Sequence, residues 1–256
     1  MLERTGTING IAKTSRHALS CKGLVYRAGG KRLIDGIGLD FLPAGISTIV
    51  GYNGAGKSLL LRLLHGLLQP SEGTILWNGT PLTAQARRRQ AMVFQKPVIL
   101  RRTVLDNLRF ALASRGIHDK ALALAALERV GLSGLEARPA RLLSGGEKQR
   151  LALGQAIGCK PEVLFLDEAT ASLDPASVHA IEQIVLAASA EGTKIVMVTH
   201  DVGQARRLSD EVIFVDQGQV LEQAPADLFF ANPAAPQASA YLEGRLPETH
   251  QHPSQK

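Results

Sequence analysis

The sequence predicts an α/β fold built on a mainly parallel sheet, and three observations predict it. Short apolar runs recur as "ISTIVG", "VLFLDE", "KIVMVTH" and "EVIFVDQG". Stretches with helical spacing separate them, and strands alternating with helices give a parallel sheet covered on both faces. Hydrophobic residues make up 45% and charged residues 20% of 256, the balance of a globular chain able to bury a substantial core in one large domain or two small ones.

Taken in order, residues 1–18 are polar and aperiodic and read as a loose arm. From 19 to 50, "ALSCKGLVYR", "KRLIDGIGLDFL" and "ISTIVG" read as strands joined by glycine-bearing turns. "KSLLLRLLHGLLQPSEG" reads as a helix ended by Gln69–Pro70. "TILWNGTPL" is a hairpin turned at Asn78–Gly79. From 101 to 142, "TVLDNLRFALASRG" and "DKALALAALERVGL" carry leucine and alanine at helical spacing, a helical insert in a mixed domain. After Asn232 the chain is rich in Pro, Gln, His and Ser and frays at its end.

The net charge of +6 fits acidic partners, an anionic lipid surface or a phosphorylated ligand without choosing among them. Cys21 and Cys159 lie far apart in no ligand pattern and read as free thiols. No run approaches the roughly 18 apolar residues of a membrane-spanning helix, so work at a membrane would need other chains to cross it. "QARRRQ" (Arg87, Arg88, Arg89) reads as a solvated basic loop, because no aromatics interleave with it as in a nucleic-acid surface. His250 and His252 read as part of the frayed tail rather than as metal ligands.

The chemistry centres on "GYNGAGKS", residues 51–58, between an extended run and a leucine-rich helix. Gly51, Gly54 and Gly56 let the backbone wrap so that its N–H groups face phosphate oxygens. Lys57 would reach the β and γ phosphates, the Ser58 hydroxyl would bind Mg²⁺, and the following helix points its positive end at the same anion. "VLFLDE" puts Asp167 and Glu168 where a buried strand meets a ligand crevice, Asp167 suited to Mg²⁺ and Glu168 to orient or deprotonate a water. "LLSGGEKQR" adds a second Ser-Gly-Gly turn opening a helix. Two phosphate-gripping helix starts in one chain make sense if the second serves a partner's nucleotide.

From about residue 19 to 245 the chain resembles the ATP-binding subunits of ABC transporters. "GYNGAGKS" is similar to their Walker A loop, "VLFLDE" to Walker B and "LSGGEKQR" to their signature. Gln95 in "MVFQKP" matches the Q-loop glutamine, Asp174 in "ASLDP" the D-loop, and His200 in "VMVTHD" the switch histidine. Tyr26 matches an adenine-stacking aromatic. Tyr52 stands where the family often has proline and Glu147 where it often has glutamine, and neither disturbs the loop's glycines or Lys57.

The resemblance implies a P-loop NTPase with a mainly parallel core sheet, an antiparallel β subdomain and a helical insert subdomain at about 97–142. It implies an ATPase domain at 19–245, a flexible arm at 1–18 and a disordered tail at 246–256. ATP and Mg²⁺ are the implied ligands. Glu168, His200 and Gln95 would act in catalysis. Tyr26, Gly51, Asn53, Gly54, Ala55, Gly56, Lys57, Ser58 and Leu59 would bind the nucleotide, with Asp174 and a second copy's Ser144, Gly145 and Gly146. Ser58, Gln95 and Asp167 would hold the metal.

The implied partners are that second copy, in an ATP-sandwich homodimer, transmembrane permease subunits and, indirectly, an extracytoplasmic substrate-binding protein, with no nucleic acid. The place of work is the cytoplasmic face of the inner membrane, peripherally bound. "FQKPVILRRTVLDNLRFAL" and "DLFFANP…YLEGRL" are most similar to importers of oxyanions, tungstate first, then molybdate and phosphate. The alternatives are an importer of polar amino acids or a soluble ATPase of iron–sulfur assembly.

Overall fold

A computed structural model describes residues 19–245; the expected arm and tail, with His250 and His252, lie outside the described residues. The chain opens with β1 (Leu19–Ala28), β2 (Lys31–Asp40) and β3 (Ile46–Val50), then α1 (Lys57–His65), β4 (Glu72–Trp77) and β5 (Thr80–Pro81). β1, β2, β4 and β5 form an antiparallel sheet in the order β2–β1–β4–β5. Asn78 (φ 50°) and Gly79 (φ 75°) turn the expected hairpin with positive φ at both central residues, the geometry that matches strand twist.

α1 stops earlier than its leucine pattern predicts. Gly66 caps it in the left-handed conformation (φ 79°), its N–H returning to the carbonyls of Arg62 and Leu63. A left-handed glycine ends a helix outright, so Pro70 never acts as the breaker. The arginine run also differs from a free basic loop. It forms the short α2 (Ala84–Arg87), capped by Thr83; Arg87 donates to the Gly66 carbonyl and Arg89 pairs with Glu162. These contacts tie the segment to the body of the domain.

The central sheet is completed by β6 (Gln90–Val93), β7 (Val163–Asp167), β8 (Lys194–Val198), β9 (Glu211–Asp216) and β10 (Gln219–Pro225). Its order is β10–β9–β3–β8–β7–β6, with β10 antiparallel at one edge and the remaining pairs parallel. β3, β7 and β8 are buried at every residue, which is why they read as continuous apolar runs rather than alternating ones. Along β7 the side chains alternate between faces. Val163 and Phe165 join Leu60, Leu61, Leu63 and Leu64 of α1, whereas Leu164 and Leu166 face Ile181 and Ile184.

Between β6 and β7 lie α3 (Val104–Ala113), α4 (Lys120–Arg129) and α5 (Gly145–Gly158), joined by a short 3₁₀ turn at Ala140–Leu142. Leu108, Leu112, Leu127 and Leu151 pack these helices on one another, so the signature segment at the start of α5 rides on the helical insert. α6 (Pro175–Ala190), α7 (Val202–Leu208), α8 (Ala226–Ala231) and α9 (Pro236–Leu242) complete the chain. Phe214, Phe229 and Ala238 bind the last two helices to β9.

Candidate functional site

Four parallel strands end at one edge of the central sheet, and each delivers chemistry there. β3 runs into the loop 51–56, β6 into Phe94–Gln95, β7 into Asp167–Glu168 and β8 into Thr199–His200. Ligands of open α/β sheets bind at such carboxyl ends, where crossovers on opposite faces leave a crevice.

The loop is shaped by its glycines. At Gly51 (φ 144°) a Cβ would run into the Val215 carbonyl, so backbone presses on backbone there. Gly56 (φ 101°) is the N-cap of α1 and supplies no side-chain bond to the first turn, whose amides have no intrahelical acceptor and can serve an anion. Lys57 is buried, and its Nζ donates to the carbonyls of Gly51 (2.8 Å) and Tyr52 (2.9 Å). Burial lowers its pKa, and the negative charges of Glu168 and Asp167 oppose that shift. Asn53 and Gly54 are exposed at the loop's tip, Ala55 is buried beneath it, and Ser58 and Leu59 are half-buried on the helix.

Asp167 is 3% exposed, and its Oδ2 accepts from Nη2 of Arg62 on α1 (3.1 Å). That bond leaves the carboxylate its other oxygen for a cation. A buried carboxylate, a helix-start hydroxyl (Ser58) and an exposed amide (Gln95) are oxygen donors of the hard kind Mg²⁺ takes, so the residues present fit the metal. Glu168 leaves the strand with positive φ (48°), a conformation a non-glycine residue adopts only under constraint. Its amide donates to the Val198 carbonyl, and its Oε2 lies 3.3 Å from Nδ1 of His200. The carboxylate and the imidazole therefore face each other across neighbouring strand ends.

The signature turn stands elsewhere. Ser144 caps α5 in a reciprocal box: its Oγ accepts from the Glu147 amide (3.2 Å), and Glu147 Oε2 accepts from the Ser144 amide (2.7 Å). The Ser144 amide holds the Glu147 carboxyl below its usual range. A Cβ on Gly146 would collide with Ser177, and one on Gly145 would touch Leu173. Ser177 is itself pinned by Asp174, the N-cap of α6, which accepts from its amide and hydroxyl and is thereby acidified. A cavity of about 280 Å³ beside them is lined by Gln95, Lys96, Gly145 and Leu173 but not by the loop 51–58. Tyr26 is half-buried on β1, opposite Ile34, whose side chain lies against Gly56.

Signature and D-loop residues thus line one cavity with Gln95, and no residue of the phosphate loop lines it. The order of these motifs on this fold is decisive. The chain belongs to the ABC transporter family. That family's description, "ABC transporter", matches residues 34–171. The chain is 34% identical over 251 residues to the phosphate import ATP-binding protein PstB 2 of Natronomonas pharaonis, covering 91% of this chain and 88% of that one. It is 37% identical over 206 residues to the tungstate uptake ATP-binding protein TupC of Peptoclostridium acidaminophilum, covering 79% and 94%. Other relatives are named for L-cystine and methionine import. Among solved structures, cbiO1 from Clostridium perfringens, part of the transporter complex cbiONQ, superposes with a TM-score of 0.77 at 29% identity, over 85% of this chain and 92% of that one.

The chain is therefore an ATP-binding cassette of the transport ATPases, and its α/β fold with a second antiparallel sheet and a helical part is theirs. Two polar residues tie the site's segments together. Arg62, set among the leucines of α1, pairs with Asp167. Gln149, 2% exposed on α5, donates to the Phe94 carbonyl (3.0 Å) and so ties the signature helix to the Q-loop. A charge in an apolar run is the sequence signal for the first; the second lies within the signature segment, whose sequence does not show its bond to Phe94.

Among the described residues no helix is long and apolar enough to cross a membrane. A groove of about 520 Å³ opens between the β6 edge and the helical insert, lined by His65, Gln90, Val98, Phe110, Arg115 and Cys159. Val98 (72% exposed) and Phe110 (50%) form its apolar rim.

Proposed function

We propose that two copies of this chain close head to tail on two ATP molecules and power import of an oxyanion, tungstate first and molybdate or phosphate next, through separate permease subunits. The observation that carries the ATPase site is the meeting of Lys57, Asp167, Glu168, His200 and Gln95 at adjacent strand ends. Lys57 and the first amides of α1 grip the β and γ phosphates, and Tyr26 stacks on adenine. Ser58, Gln95 and Asp167 would hold Mg²⁺, which when bound neutralises charge on the phosphate oxygens. Water attacks the γ-phosphorus, its proton passes to Glu168, and the bond to the ADP oxygen breaks. His200 orients the γ-phosphate and Glu168. The partner's Ser144, Gly145 and Gly146, with Asp174, complete the cage only when the dimer is shut, so hydrolysis waits on closure.

The apolar-rimmed groove next to Gln95 is suited to a permease helix, which would hold the chain peripherally at the cytoplasmic face of the inner membrane and couple closure to transport. An extracytoplasmic binding protein would act through that permease. The likeness to the tungstate protein, 94% of which is covered, supports the oxyanion reading, and the spread of relatives' cargoes makes it one to test.

Replacing Glu168 by Gln removes the base and keeps the shape. Steady-state turnover should fall by roughly 100-fold or more while the ATP Kd stays within about threefold; unimpaired hydrolysis would remove Glu168 from its role. The same variant, trapped with ATP and recovered from detergent-solubilised membranes, should carry a multi-pass permease in stoichiometric amount. That permease's binding protein should prefer tungstate over phosphate by calorimetry. Recovery with soluble proteins only would defeat the transport reading.

A further inference from the structure

Tyr52, at the second position of the phosphate loop, faces two ways. Its carbonyl accepts from the Lys57 ammonium (2.9 Å) and from the Ala55 amide (3.2 Å), so its backbone is part of the cradle. Its ring leaves the cradle and enters an aromatic cluster. It meets Tyr241 of α9 edge-on, with centroids 5.3 Å apart at 88°, and Phe214 of β9 at 6.3 Å and 77°. Phe214 and Tyr241 also touch, at 5.5 Å. The Tyr52 hydroxyl donates to the Arg245 carbonyl (2.9 Å), just beyond α9. The Tyr241 hydroxyl is shut off from water beside the Gly51 backbone.

Both carbonyls that hold Lys57, those of Gly51 and Tyr52, are therefore backed by one C-terminal helix. α9 has its own anchor, since Ala238 is fully buried with Phe229 and Phe214. Edge-on ring pairs of this kind have a defined geometry, so they transmit position and not only burial.

We propose that α9 is a strap that positions the phosphate loop. Tyr241 fixes the Tyr52 ring, the ring fixes the two carbonyls that aim Lys57, and the affinity for ATP depends on that chain of contacts. This rests on reading residues 51–58 as the ATP site. Displacement of α9 would loosen ATP without touching any residue that contacts the nucleotide, so the C-terminal segment is a point at which ATP affinity can be set.

The test uses the full chain, with ATP and Mg²⁺ as titrant in calorimetry and steady-state hydrolysis as the second readout. Tyr241→Ala should raise both the ATP Kd and KM by about tenfold, with kcat at saturating ATP falling less than twofold. Tyr241→Phe keeps the ring and should restore affinity to within about threefold of the wild type. Tyr52→Phe removes only the bond to Arg245 and should raise KM by roughly threefold. A Tyr241→Ala chain with a lower melting temperature but an unchanged KM would make α9 mere packing and overturn the proposal. If that variant fails to fold, Tyr241→Leu decides: it keeps apolar burial but loses the edge-on ring pair, and an unchanged KM there overturns the proposal equally. A wild-type chain that binds no ATP would overturn the ATP reading itself, an outcome distinct from either.

Discussion

Two helix starts in this chain have opposite states. α1 begins at Gly56 with no side-chain cap, whereas α5 begins at Ser144 inside a complete capping box with Glu147. α3, α4, α6 and α7 are also capped by a side chain, from Thr103, Asp119, Asp174 and Asp201. A cap satisfies amides that would otherwise need an external acceptor. α8 and α9 also begin without a side-chain cap, but α1 opens beside a buried lysine and the carboxylates of Asp167 and Glu168. In α5 the box engages the Ser144 and Glu147 amides, while the Ser144 O–H and the amides of Gly145 and Gly146 remain available as donors. One helix start is thus left open beside a buried lysine, and the other is held rigid by its own side chains while its glycine amides stay open.

The largest expected effect is at Lys57. Lys57→Ala removes a charged donor from the phosphate-loop side and should weaken ATP binding by roughly 10- to 100-fold in calorimetry. Next in size is Gly146→Ala. Its methyl group collides with Ser177 of the same chain, so the helix start shifts and turnover should fall at least tenfold, the effect of roughly 1–3 kcal/mol of overpacking. Ser177→Gly on top of it should restore most of the activity. Failure of that rescue would mean that Gly146 is required for a contact outside its own chain, as in the proposed dimer. Ser144→Ala is smaller, with loss of the box costing about 1 kcal/mol of stability by urea denaturation and ATP binding to the isolated chain unaffected.

The far end of α1 gives an effect of similar size, and it depends on pH. Burial, reinforced by the charges of Arg115 and Arg87, pushes the His65 imidazole down to about 4. Between that value and its ordinary one near 6.5, the unfolded chain takes up a proton that the folded chain refuses, so stability is full above that window and declines as the pH falls through it. Urea midpoints at pH 7 and 5 should differ by the equivalent of on the order of 1–2 kcal/mol, and His65→Gln should flatten the difference.

Much of this was legible in the sequence because it is local. The loop 51–58, the strand ending in Asp167 and Glu168, Gln95 and His200 are each read within a few residues of the strands that carry them. The helical insert and the turn at Asn78–Gly79 follow from spacing alone. What was not legible depends on distance along the chain. Arg62 finds Asp167 across 105 residues, Gln149 finds Phe94 across 55, and Tyr52 finds Arg245 across 193. No local pattern encodes such pairs. The end of α1 was misplaced because Gly66 takes the left-handed cap before Pro70 can act, and the arginines of α2 found partners that a charge count does not reveal.

The division of one site between two chains is tested most directly by mixing two inactive variants. Lys57→Ala spoils the phosphate-loop half, and Gly146→Asp spoils the signature half. If each site takes one half from each copy, random pairing leaves one intact site in half of the dimers. Turnover of the mixture should then recover to about a quarter of the wild-type rate. A mixture as inactive as its components would place both halves in one chain and contradict the sandwich.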